Sequence, residues 1–172
     1  MRATRAIAAG APPKSRASVR AMTTPRSPNR SPTHKDIEPA RLARLGLDVE
    51  ELAEGGPITP DRVLGLSAEQ GKEPSQYYAA IALATELELP TAPVTAVFCV
   101  GVCQGWGALD LVDRAAEVWE KRKGGFAIGV RSCLDRCENA PACELRTPDG
   151  TAVLAPATPD KLAAALNEIL AG

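Results

Sequence analysis

Histidine is almost absent from this chain: of 172 residues, only His34 carries an imidazole. That lack removes nucleophilic catalysis by a cysteine–histidine pair, together with any site that needs two imidazoles. Also missing are the Cys-x-x-Cys spacing on which thiol–disulfide exchange ordinarily runs and a Gly-x-Gly-x-x-Gly run that would cradle a dinucleotide. No unbroken apolar run is long enough to span a bilayer; the longest, residues 94–102, is strand-sized. Acidic residues are missing from 1–35, which hold eight Lys and Arg, whereas 36–93 sum to −7 and 94–172 to −2. The net charge of −1 therefore conceals three blocks, and a global charge argument for nucleic acid fails. Cysteines number five, an odd count, and no secretory hydrophobic segment opens the chain. A disulfide framework is thereby disfavoured, and reduced thiols in the cytoplasm are expected.

What is present falls into three segments. Residues 1–35 are rich in Arg, Ala, Ser, Thr and Pro without helical or alternating period, and are expected to be a disordered basic tail. The same composition is that of an organellar transit peptide, which would put the protein in an organelle matrix; a start at Met22 is a third reading. Residues 36–90 read as a small acidic helical region. A first helix opens at Pro39 and closes at Gly46, and a second is opened by Thr59-Pro60-Asp61 as N-cap, first-turn proline and first-turn acid. A third helix is capped by Ser75, carries Tyr77, Ile81, Ala84 and Leu87 on one face, and stops at Pro90. The Tyr77-Tyr78 pair reads as core.

From Val94 the pattern changes. Val94 to Phe98 and Phe126 to Arg131 are β-like runs separated by an amphipathic helix over 107–122, in which Leu111, Val112, Ala115, Val118 and Trp119 recur at helical spacing. Pro148-Asp149-Gly150 marks a hairpin between Cys143 to Leu145 and Thr151 to Leu154, and Thr158-Pro159-Asp160 opens a last helix. The order β-α-β-β-β-α over 94–172 predicts a small α/β layer of thioredoxin-like type.

Four cysteines form two matched pairs, Cys99-x3-Cys103 and Cys133-x3-Cys137, each just after a predicted strand. Iron–sulfur clusters are held by thiolates, four for a [2Fe–2S] centre, because soft sulfur donors match iron. Two loops at neighbouring strand ends can close on a cluster from opposite sides. Gly101, Gly105 and Gly107 allow tight backbone in the first loop, and the following helix N-terminus suits the negative charge of a cluster. Zinc is the rival occupant, since four thiolates also make a structural tetrahedral site and would give a zinc-stabilised interaction module. A Rieske centre is excluded by the single histidine. Cys143, in strand context, reads as core; Trp106 reads as packing at the helix entry or as a shield for the site.

The second loop, Cys133-Leu134-Asp135-Arg136-Cys137-Glu138-Asn139-Ala140-Pro141, resembles the Cys-Leu-Gly-x-Cys-x-x-Ala-Pro signature of thioredoxin-like [2Fe–2S] ferredoxins. That family includes the small subunit of NADH:quinone oxidoreductase and its relatives in NAD-linked hydrogenases and formate dehydrogenases. The resemblance covers 94–172 well and 36–90 more loosely. It implies a thioredoxin-like fold, a [2Fe–2S] cluster on Cys99, Cys103, Cys133 and Cys137, and one-electron transfer to a redox partner such as a flavin-binding NADH-oxidising subunit. Two features depart from it: Cys99 and Cys103 enclose three residues where the large-complex members usually have four, and Asp135 stands at the glycine position. These departures point to a divergent or stand-alone carrier. Nothing in the sequence marks a flavin, nicotinamide or quinone site, so a partner completes any net reaction. Asp110, Asp135 and Glu138 are the acids near the cysteine loops that could guide docking.

Overall fold

The computed structural model describes residues 36–171; the readings of 1–35, including the start at Met22, lie outside them. Three helices come first: α1 (Pro39–Glu54), α2 (Pro60–Gln70) and α3 (Pro74–Ala84). Each begins with proline in its first turn, where the missing N–H has no intrahelical partner to lose. The chain then alternates through β1 (Thr95–Cys99), α4 (Ala108–Arg122), β2 (Ala127–Arg131), β3 (Cys143–Thr147), β4 (Gly150–Leu154) and α5 (Pro159–Ile169). Short 3-10 turns at Val102–Trp106 and Cys137–Asn139 interrupt the two cysteine loops. Among the described residues no helix is long and apolar enough to cross a membrane.

The four strands make one mixed sheet in the order β2-β1-β3-β4. β1 runs parallel to β2, with Thr95 opposite Ala127 and Cys99 opposite Arg131, and antiparallel to β3, with Phe98 opposite Cys143. β1 lies between two partners and is buried along its whole length, as its Thr-Ala-Val-Phe-Cys sequence of small, β-branched and apolar residues permits. Ala96, Phe98 and Val100 enter one apolar core with Leu111, Val112 and Ala115 of α4 and Leu162 and Leu166 of α5. Leu45, Val49, Val63, Tyr77 and Tyr78 belong to the same core, so the N-terminal helices and the α/β layer are packed together. Thr158 caps α5 by accepting a hydrogen bond from the Lys161 amide at 3.3 Å.

Three helix details differ from the sequence expectation. α1 does not close at Gly46 but continues to Glu54, because Gly46 is a packing residue: a Cβ there would lie 3.3 Å from Ala84 Cβ and 3.4 Å from Thr85 Cγ2 on α3. At the true end of α1 the Arg62 guanidinium donates to Leu52 O in the last turn and to the Gly56 and Pro57 carbonyls of the loop that follows. α3 stops at Ala84, well before Pro90; the Thr85 hydroxyl turns back on Ile81 O at 2.9 Å and accepts from the Leu87 amide at 3.3 Å. Ser75 is inside α3 rather than its cap. The capping is done from α4: Asp113 accepts from Ser75 N at 2.9 Å and from the Ser75 hydroxyl at 2.8 Å.

Burial pushes the Asp113 carboxyl up to about 6, and the nearby charges of Glu73 and Asp110 add to it, against the lowering effect of the two Ser75 hydrogen bonds. A carboxyl with a raised folded pKa binds its proton more tightly in the folded state. Its contribution to stability is therefore present below the unfolded value of 3.8 and lost as pH rises to about 6. Asp113→Asn keeps an acceptor for Ser75 N and has no charge to bury. Relative to the variant, the wild-type protein is expected to lose about 2 kcal/mol between pH 4 and pH 6, measured by denaturant melts across that range.

Candidate metal centre

Both cysteine loops leave the sheet at the same end, because parallel strands β1 and β2 finish side by side. Their ladder continues past the strand ends: Val100 N donates to Arg131 O at 2.8 Å and Gly101 N to Ser132 O at 3.1 Å. At Gly101 the two backbones come so close that a Cβ would sit 2.2 Å from the Ser132 carbonyl oxygen. The tight backbone that the sequence predicts at this glycine is a close approach to the opposite loop. Gly107, with φ 91°, is the left-handed residue that turns the first loop into α4.

This approach brings Cys99, Cys103, Cys133 and Cys137 to one end of the molecule in two pairs of different exposure. Cys99 and Cys103 are buried, 2% and 1% exposed, in a small apolar cluster with Val97, Ala108, Leu134 and Ala140, against which Trp106 packs. Cys133 and Cys137 are exposed, with their sulfurs 3.7 Å apart. Cys137 lies within Coulombic range of both Cys99 and Cys103. All five cysteines are free of disulfides.

The two thiols of the inner pair are pushed in opposite directions. A hydrogen bond from the Cys103 thiol, aided by the backbone N–H groups of Leu134, Gly101 and Cys103, holds the Cys99 thiol down at about 6 in spite of its burial. Cys103 is pushed far up, first because it holds the proton it shares with Cys99 and second because it is buried; the Ala142 N–H opposes this. In the outer pair the Cys133 sulfur accepts from Asp135 N at 3.3 Å. Cys137 is raised by its hydrogen bond with Cys133, by partial burial and by the negative charges of Cys133, Cys99 and Asp135.

Asp135 has φ 54°, the left-handed region that favours glycine and that Asp and Asn enter more readily than most side chains. Asp135 and Glu138 are exposed beside the outer pair, whereas Asp110 lines a groove between α4 and the start of α5 with Asp113, Glu117 and Asp160. Cys143 belongs elsewhere. It pairs with Phe98 and so faces the main core, on the opposite side of the sheet from Cys99, and burial pushes its thiol up to about 12.

One site residue escaped sequence reasoning. Gln104, buried between the first two cysteines and α4, donates from Nε2 to Val100 O at 2.7 Å and accepts at Oε1 from Ile37 N at 3.0 Å. A lone glutamine in a loop carries no signal of this, because its second partner is 67 residues away in the chain. The exposed Val102, 69% accessible, is the large hydrophobic that this loop leaves in solvent.

Among the described residues no group of three or more His, Cys, Asp or Glu side chains is drawn together tightly enough to hold a single metal ion. No protein-family model matches the chain, and no curated protein matches it.

Glycine substitutions separate the loop contact from general helix effects. Gly101→Ala is expected to cost about 2 kcal/mol, since backbone rather than a flexible side chain must yield. Gly65→Ala, in the middle of α2 with nothing within 4 Å of the added methyl, is expected to stabilise by about 0.5–1 kcal/mol. Denaturant melts of the two variants against wild type measure both signs.

Proposed function

We propose that the protein is a one-electron carrier whose [2Fe–2S] cluster is held by Cys99, Cys103, Cys133 and Cys137. The observation that carries this reading is the placing of four thiols, as two pairs, in the loops that follow adjacent parallel strands. A binuclear cluster takes two thiolates on each iron, so two pairs are what it needs. Metal–sulfur bonds of about 2.3 Å set a tetrahedral edge of roughly 3.8 Å, and the 3.7 Å between Cys133 and Cys137 fits one such edge. A single zinc would require all four sulfurs around one point, whereas a binuclear cluster takes them two by two.

The donor set fits in its surroundings as well. Backbone N–H groups at Gly101, Cys103, Leu134 and Ala142 lie against the inner pair, where they would stabilise thiolate and the added negative charge of reduction. The apolar cluster around Cys99 and Cys103 keeps water from the inner side. Bound there, the cluster would supply reversible one-electron chemistry; the chain would supply ligands, amide dipoles and a dry wall.

The sheet order β2-β1-β3-β4, with β1 and β2 parallel and joined through α4, supports assigning the α/β layer to the thioredoxin-like ferredoxins. The left-handed Asp135 supports it too, because glycine at that position of the family signature would serve the same backbone conformation. On this reading the electron donor or acceptor is another protein, and a flavin-binding NADH-oxidising subunit is the partner the resemblance implies. The exposed Val102, Cys133 and Cys137 would face it.

Anaerobic purification with iron, sulfide and zinc analysis tests the proposal. Roughly two iron and two sulfide per chain, with an EPR signal on reduction, are expected; a colourless protein with stoichiometric zinc overturns it. Cys103→Ser is expected to abolish cluster uptake, and Cys143→Ser to leave it intact.

A further inference from the structure

The two cysteine pairs differ in a way that electron transfer does not require. Cys99 and Cys103 are closed off among Val97, Leu134 and Ala140, whereas Cys133 and Cys137 stand in solvent on the same short loop. That loop is already bent back on itself: Asp135 is left-handed, its amide donates to the Cys133 sulfur, and a 3-10 turn begins at Cys137. The outer sulfurs are already in hydrogen-bonding contact at 3.7 Å, so closing them to a disulfide of about 2.05 Å requires motion within this one loop. Cys99 and Cys103 are instead buried in the apolar cluster, so a link from Cys137 to either has to breach that wall.

We infer that Cys133 and Cys137 form a reversible redox-sensitive site in the cluster-free protein: a low-molecular-weight disulfide oxidises them to an intraloop disulfide, which withdraws two of the four cluster donors. The Cys133 thiolate attacks one sulfur of the small disulfide, forming a mixed disulfide and expelling one thiolate. The Cys137 thiolate then attacks the Cys133 sulfur, forming the protein S–S bond and expelling the second. Two protein thiols lose two electrons, the small disulfide becomes two small thiols, and the two protein protons pass through solvent to them. The iron-free chain is thereby held in a form that cannot collect metal until a reductant reopens the pair, while the inner thiols stay reduced behind their apolar wall. The consequence for cluster uptake rests on the proposed cluster; the disulfide itself does not.

The test uses the full chain prepared without iron, treated with glutathione disulfide, alkylated and mapped by mass spectrometry. The expected product is lighter by two hydrogens, protected from alkylation at Cys133 and Cys137 only, and fully restored by dithiothreitol. Cys137→Ser is expected to stop at one glutathione on Cys133. A chain that stays fully reduced, a Cys99–Cys137 link, or ring closure in the Cys137→Ser variant would each overturn the assignment. Iron and sulfide reconstitution then separates the two claims. Oxidised chain that takes up no iron until reduced supports the inference in full, and oxidised chain that assembles a cluster without reductant overturns it. If the disulfide forms as described but the re-reduced chain also fails to assemble a cluster, the cluster reading falls and the disulfide site stands.

Discussion

Everything at the cysteine end of this molecule depends on a backbone contact between two loops. Parallel strands need no turn to hold them together, and they would ordinarily splay once their ladder ends. Here the ladder runs on through Val100–Arg131 and Gly101–Ser132, so the first residues of each loop are still paired when the cysteines begin. Only glycine admits this spacing, with the Ser132 carbonyl where a side chain would start. The two pairs of thiols, the apolar wall beside Cys99 and Cys103, and the exposed turn carrying Cys133 and Cys137 are consequences of that pairing.

The helices are tied to the same end by polar contacts rather than by apolar packing alone. Asp113 holds the first turn of α3 from α4, and Gln104 holds the start of the helical region from within the first cysteine loop. Each makes hydrogen bonds to groups that helix formation leaves unsatisfied or that burial would strand. The Asp113 contact carries a charge cost that burial raises, which is the reason for its shifted carboxyl.

Periodicity was enough to read the strands, the order of elements, and most of α4 and α5, because each of these is a local pattern of apolar residues. Cysteine spacing likewise picked out the four thiols that the fold carries to one end, and strand context set Cys143 apart. What stayed hidden was set by partners distant in the chain. Gly46 looked like a helix stop because its neighbour Ala84 is invisible in a local window. Ser75 looked like a cap because Asp113 lies 38 residues away. The unequal burial of the cysteine pairs had no local signature either, since it arises from the approach of two loops about thirty residues apart.

The Gln104 bridge carries a further implication. Its Oε1 accepts the Ile37 amide while its Nε2 serves Val100 O at the exit of β1. Local opening of the first cysteine loop and release of the chain entering α1 are therefore one cooperative event, and amide hydrogen exchange at Ile37 is a gauge of loop closure. Any occupant that binds only the closed loop slows that exchange by mass action, so order in this end of the fold is transmitted to the opening of the helical region without touching it.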